Sequence, residues 1–126
     1  MLTIRKSASQ PPSWATSCPL TTALQVIGGR WSLIALYWLA QESQRFNDLR
    51  RLMPAISQKV LAATLRDLER EGMIVRTVIP DKPPKVAYAI SDYGRTVCPL
   101  MHAARAWGRS HLEWRAVQNG AATSAG

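Results

Sequence analysis

The run from Phe46 to Ile90 reads FNDLRRLMPAISQKVLAATLRDLEREGMIVRTVIPDKPPKVAYAI, and its periodicity decides the fold. Phe46, Leu49, Leu52 and Met53 recur at helical spacing and Pro54 closes the run, which predicts a short amphipathic helix. Ala55 and Ile56 form a turn. Ser57 is a good cap for a second, longer helix that continues to Glu71 and meets its stop signal at Gly72. A short helix, a tight turn and a longer helix are the parts of a helix-turn-helix. Two β-rich runs follow, Ile74 to Ile79 and Lys85 to Ile90, separated by Pro80-Asp81-Lys82-Pro83-Pro84. They predict a hairpin with a stiff tip, with Val86, Tyr88 and Ile90 on one face.

The two faces of the second helix differ. At 100° per residue Leu61, Leu65 and Leu68 stack on one side, while Lys59, Ala63, Arg66 and Arg70 lie opposite with Ala62 beside them. Alanines let a helix sit deep in a major groove, and the cations around them reach phosphates or a guanine edge. Ser57, Gln58 and Lys59 fall in the first turn, the part that reaches base edges. A solvated surface helix carries similar residues, so the stripe alone leaves both readings open. The hairpin weighs on the groove side: placed after such a helix it is a wing, and Arg76, Lys82 and Lys85 put positive charge along it. The same lysines and prolines also guard a sheet edge against pairing with other chains.

Working outward, Cys18-Pro19 predicts a helix start with Cys18 at the cap, and Gly28-Gly29 ends that helix after Ile27. A second helix over Arg30 to Ala40 is apolar nearly all round, which makes it the central buried element. On the far side, Ser91 caps a last helix from Asp92 to about Ala116, which Pro99 is expected to kink. Val97, Leu100, Met101, Ala104, Trp107, His111 and Trp114 form a stripe along it. Leu20, Leu24 and Ile27 give the first helix an apolar side as well. A domain this small cannot cover both, which predicts a homodimer built from the terminal helices. Residues 1–16 read as a flexible arm, 17–116 as one folded domain and 117–126 as a frayed tail.

Length and composition fit that frame. The 126 residues suffice for one domain, and 47% apolar against 19% charged residues supports a core. A net charge of +8 draws the protein to polyanions. The longest apolar run, Leu33 to Ala40, is far short of the roughly 20 residues of a membrane span. No membrane partner is expected, and the cytoplasm, in association with the nucleoid, is the expected location. Two cysteines do not make a disulfide scaffold. Cys98 and His102 lie one helical turn apart but lack a second pair to complete a metal site. His111 reads as a packed histidine within the apolar stripe, and Cys98 as a small core residue. No nucleophile elbow, phosphate loop or paired carboxylate appears, so neither an enzyme nor a cofactor is expected.

Cys18-Pro19, Val26-Ile27-Gly28-Gly29-Arg30-Trp31-Ser32-Leu33, Arg45-Phe46-Asn47-Asp48-Leu49, Ile56-Ser57-Gln58-Lys59-Val60-Leu61 and Leu65-Arg66-Asp67-Leu68-Glu69 occur in that order. Gly72-Met73-Ile74-Val75-Arg76, Pro83-Pro84-Lys85-Val86-Ala87-Tyr88 and Trp107-Gly108 follow. Together they closely resemble the HxlR-type family of winged-helix transcriptional regulators, relatives of the MarR group, over roughly residues 17 to 115. The resemblance implies a homodimeric DNA-binding regulator of bacteria or archaea that acts near its own gene. It also places a sensor of oxidants or electrophiles, found in some members, at the position of Cys18. A physical reason exists, because unpaired amides at a helix N-terminus favour a thiolate. The sequence departs from the family pattern at Asp81-Lys82 in the wing tip, at Cys98, and at the Ser-Asp-Tyr-Gly that opens the last helix.

The combined expectation is an α+β, mainly helical winged helix-turn-helix with a two-stranded wing and dimerising terminal helices. It acts as a sequence-specific repressor on double-stranded DNA at a pseudo-palindromic operator. Ser57, Gln58, Lys59, Ala62, Ala63 and Arg66 are expected to face the major groove. Arg45, Arg50, Arg70, Arg76, Lys82 and Lys85 are expected at phosphates or along the wing. Leu20, Leu24, Leu100, Ala104, Trp107, His111 and Trp114 are expected in the dimer interface, and Cys18 at a redox-sensing site; a small-molecule effector or an oxidant is the further partner considered. A winged-helix module that binds an acidic protein partner is the alternative.

Overall fold

The computed structural model describes residues 18–125, so the arm read over residues 1–16 lies outside the described residues. The order is α1 (Pro19–Ile27), α2 (Ser32–Gln41), β1 (Gln44–Arg45), α3 (Phe46–Leu52), α4 (Gln58–Arg70), β2 (Ile74–Ile79), β3 (Lys85–Ile90), a short 3-10 helix (Gly94–Val97) and α5 (Cys98–Ala125). Pro19 opens α1, where its missing N–H costs nothing, and the Gly28 N–H closes the helix on the Leu24 carbonyl.

Helix α2 is the centre. It packs on α1, α3, α4, α5 and β3, and it buries Ala35, Leu36 and Leu39 completely or nearly so. Leu49 of α3, Leu61, Leu65 and Leu68 of α4, and Met73, Ile74, Ile90 and Met101 complete the core around it. The apolar side expected of α4 is therefore the buried one, and each of its leucines contributes about 1.5–3 kcal/mol through removal from water. Between α3 and α4 the turn passes through Ala55 at φ 77, a left-handed conformation uncommon for a residue with a Cβ. The Ser57 hydroxyl then caps α4 by accepting the Val60 N–H at 3.1 Å. At the other end of α4, Gly72 at φ 78 lets the Met73 N–H reach back to the Leu68 carbonyl, a Schellman closure that turns the chain into β2.

Strands β2 and β3 pair antiparallel with Ile74 opposite Ile90 and Arg76 opposite Tyr88. Their bounds match the expected hairpin, but the sheet has a third strand: β1 pairs with β3, Gln44 opposite Tyr88 and Arg45 opposite Ala87, giving the order β1-β3-β2. Two further differences concern the last helix. It does not begin at Asp92, and Pro99 does not kink it. Pro99 cannot donate a backbone hydrogen bond, so the chain takes a 3-10 turn over Gly94–Val97 and α5 starts at Cys98, with Pro99 in the first turn where no donor is needed. The helix then continues to Ala125, so residues 117–125, expected as a frayed tail, are helical. Ser91 joins the end of β3 to the α4–β2 corner and caps the turn that leads into the 3-10 helix, rather than the first turn of α5. Its hydroxyl donates to the Gly72 carbonyl at 2.6 Å and accepts the Gly94 N–H at 2.8 Å.

Candidate nucleic-acid interface

The exposed side of α4 carries Gln58, Lys59 and Arg66, with Ala62 and Ala63 set lower and half-buried between them. The burial of the leucine side fixes this orientation, because a helix that hides Leu61, Leu65 and Leu68 must turn Lys59 and Arg66 to solvent. Ser57 stands at the first turn, and its oxygen is already engaged by the Val60 N–H. Among the described residues neither Lys59 nor Arg66 makes an ion pair. Arg70 differs. It is exposed on the same helix, but its guanidinium bonds to the Asp67 carboxylate at 3.0 Å, which neutralises much of its charge.

The helix and the wing enclose a cleft of about 390 Å³ lined by Ala62, Arg66 and Glu69 of α4, Arg76 of β2 and Tyr88 of β3. Arg66 and Arg76, expected at the groove and at the backbone respectively, thus come together. A second cleft of about 320 Å³ brings Arg45 and Lys85 together with Phe46, Asn47, Asp48, Arg51 and Val86. Its charges are partly compensated: Arg51 bonds to Asp48 at 2.7 Å, and Lys85 lies 3.2 Å from Asp81. The Asp81 carboxyl is held below its ordinary range, first by the Lys82 backbone N–H at 2.8 Å and then by the Lys85 ammonium, with the Arg45 charge assisting. Arg50 lies apart, beside Asn47 and Arg51 on α3, and Lys82 stands exposed at the wing tip. Phe46, Asn47, Asp48, Arg51, Glu69, Val86 and Tyr88 line these clefts as well, beyond the residues expected at the interface. The pairing of Tyr88 with Arg76 was legible in the hairpin alternation, and Arg51 follows Arg50 directly.

Cys18 caps α1 in an extended conformation, and its side chain makes no capping hydrogen bond. The Thr21 N–H nevertheless lies where it stabilises a thiolate, followed by the Leu20 N–H and the Thr21 hydroxyl. Together they hold the thiol below its ordinary value against a smaller opposing effect of burial. The residue is half-exposed. Cys98 packs against the core, as expected.

The apolar faces of the terminal helices are open. Leu20 is 68% exposed, Leu24 57%, Leu100 45%, Trp107 68% and Trp114 57%. Ala104 is exposed beside them. His111 is stacked between two indoles, 5.0 Å from the Trp107 ring and 5.6 Å from that of Trp114. Trp31 and Trp38 pack on the core instead.

A capped basic helix, joined by a tight turn to a shorter helix and followed by a charged hairpin, is the DNA-reading unit of winged-helix transcriptional regulators. The sequence model of the HxlR-like helix-turn-helix family matches residues 26–116, and the chain belongs to that family. Its similarity to an uncharacterized HTH-type transcriptional regulator of Bacillus subtilis (strain 168), YdeP, is 44% identity over 96 residues, 76% of this chain and 75% of the relative. Among solved structures it is similar to the redox regulator HypR in its oxidized form, with a TM-score of 0.71 and 41% identity, covering 74% of this chain and 96% of that one. It is also similar to the reduced form of the B. subtilis transcriptional regulator YodB, with a TM-score of 0.64 and 32% identity, covering 71% of this chain and 89% of that one. The protein is a helix-turn-helix transcriptional regulator, of a DNA-binding family and not of an enzyme family. Among the described residues no helix is long and apolar enough to cross a membrane.

Proposed function

We propose that the protein is a homodimeric repressor that binds a pseudo-palindromic operator and releases it when Cys18 is oxidised or alkylated. The observation that carries the DNA reading is the exposed, unpaired pair Lys59 and Arg66 flanking two low alanines on a helix whose other side is locked into the core. Gln58, Lys59, Ala62, Ala63 and Arg66 face the major groove, with Ser57 at its edge. Arg76, Lys82, Arg45 and Arg50 meet phosphates, and Arg70 and Lys85 contribute less because Asp67 and Asp81 already partner them. Removing the apolar side chains of α1 and α5 from water favours the dimer, and a dimer presents two copies of α4 to half-sites about 10 base pairs apart.

Cys18 suits a sensor because a lowered thiol pKa and partial exposure coincide there. The redox regulator HypR, of similar fold and sequence, supports this reading. Disulfide formation takes two electrons and two protons from a pair of thiols and passes them to the oxidant, with a small thiol or the same cysteine of a second protomer as the other member. Either product places new bulk or a tether at the start of α1, the helix that leads into the proposed interface.

A binding titration tests both halves. It uses DNA from upstream of the protein's own gene and a scrambled duplex, at two salt concentrations, with and without a mild thiol oxidant. The expected result is preference for the upstream DNA, steep weakening with salt, and release by oxidant that Cys18→Ser abolishes. Equal binding to both duplexes, repeated with DNA recovered by selection from random sequence, would refute the operator reading. Preferential binding that oxidant leaves unchanged would refute the sensor.

A further inference from the structure

We propose that Val60 is a base-reading residue: with Ala63 it forms an apolar hollow on α4 that takes the C5-methyl group of one thymine in each half-site. The inference deepens the proposed function and rests on its reading of α4 as the major-groove helix. Val60 lies in the first turn of α4 and is 42% exposed. Its backbone N–H donates to the Ser57 hydroxyl at 3.1 Å, so the cap fixes where the residue stands, whatever its side chain. Among the described residues that side chain is not part of the core, and it lines neither of the clefts that hold Arg66 and Arg45. Valine is also a poorer helix former than the glutamine, lysine and alanine beside it. Neither packing nor helix propensity therefore accounts for it.

Its neighbours do. Ala63 is three residues beyond Val60 and four beyond Lys59, which makes its methyl the surface neighbour of both, with Cβ atoms about 5–6 Å apart. Ala63 is half-buried while Val60 stands out, and the step between them is the hollow. Thr64, four residues after Val60, is half-buried as well, and Asp67 beyond it is engaged by Arg70 at 3.0 Å. The other flank of α4 faces the wing, where Ala62, Arg66 and Glu69 meet Arg76 and Tyr88. In the major groove the thymine methyl is the one apolar substituent on a base edge, and the other bases offer donors or acceptors there. A polar edge pressed into the hollow would lose water without gaining a partner, whereas a methyl group has no such cost. Branching at Cβ holds valine in essentially one helical rotamer, so little freedom is lost on contact.

The test uses an operator duplex recovered by selection from random sequence, with each thymine replaced in turn by uracil, which lacks only the methyl. One thymine per half-site should be sensitive. Its replacement should weaken binding about fourfold, and replacement in both half-sites about 15-fold. Val60→Ala should bring the ratio of thymine to uracil affinities at that position below about 1.5, with affinity for the uracil duplex within about twofold of the parent's. Val60→Thr, which keeps one methyl, should retain part of the ratio. Lys59→Ala and Arg66→Gln should weaken binding to both duplexes. Uracil replacements that are all neutral in the parent, or a ratio that survives Val60→Ala, would overturn the inference. If Lys59→Ala and Arg66→Gln bind as the parent does, the proposed reading of α4 fails and the inference with it. If they bind more weakly but Val60→Ala leaves the ratio intact, the inference alone fails.

Discussion

Replacing Arg66 by Gln removes one positive charge from the middle of α4 while keeping most of the side chain's bulk. The arginine is exposed, pairs with no described acid and faces the cleft toward Arg76, so its charge is free for a DNA phosphate. A dimer loses two such contacts, and at about 0.9 per phosphate the slope of log affinity against log salt becomes shallower by about 1.8. Near 0.15 M salt the same counterion term corresponds to an affinity loss of roughly 30-fold. Stability should hardly move, by no more than about 0.5 kcal/mol, since nothing buried is disturbed. The control is Asp67→Asn together with Arg70→Gln, which removes a pair already joined at 3.0 Å and leaves the net charge unchanged. Fluorescence anisotropy over a salt series reads both variants. The reasoning is refuted if the Arg66→Gln slope equals that of the parent, or if the paired control loses as much slope as Arg66→Gln.

Three further outcomes follow from local geometry. Gly72→Ala should cost about 1–2 kcal/mol in denaturant unfolding, because the residue sits at φ 78 and a new Cβ meets nothing within 4 Å, leaving backbone strain as the whole effect; Gly72→Asn should cost less. Gly94→Ala should cost about 3 kcal/mol, since its Cβ would overlap the Met73 carbonyl oxygen and press on Ile90 Cγ1 at 2.9 Å, and a thermal melt indistinguishable from the parent's would contradict the close approach. Cys18 should alkylate with a pH midpoint below that of the same chain unfolded: a depressed thiol pKa means that the thiolate persists to lower pH in the folded protein, so near pH 7 the native form reacts faster. Thr21→Val, which removes the hydroxyl but keeps the dominant N–H, should raise that midpoint only slightly.

Much of the fold was legible because its signals are local. Cys18-Pro19 and Gly28 gave α1 its bounds, the leucine spacing gave α4 its buried side, and the proline-rich tip separated two strands of the expected length. Strand β1 escaped because two residues carry no period, and because its partner, β3, lies some forty residues further along the chain. The effect of Pro99 depends on where the helix begins, which its own spacing does not show, and a proline in the first turn disturbs nothing. The extension of α5 to Ala125 has a similar origin. Small and polar residues rarely nucleate a helix, but adding them to one already formed is cheap.

For the interface, residue type was easier to read than net charge. Lys59 and Arg66 are exposed and make no ion pair among the described residues, whereas the pairing of Arg70 with Asp67 and of Lys85 with Asp81 depends on side-chain reach across one helical turn and across the wing tip. Tyr88 is a subtler case. Its alternation with Val86 and Ile90 set it on one face of the hairpin, where it packs against the core and also lines the cleft shared by Arg66 and Arg76.

In the proposed complex two copies of α4 enter successive major grooves of one operator. Methylation interference on the bound duplex, combined with the stoichiometry of the complex in the ultracentrifuge, tests it most directly. Two protomers per duplex and two blocks of interfering guanines centred about 10 base pairs apart are predicted. A single block, or one protomer saturating the duplex, would contradict it.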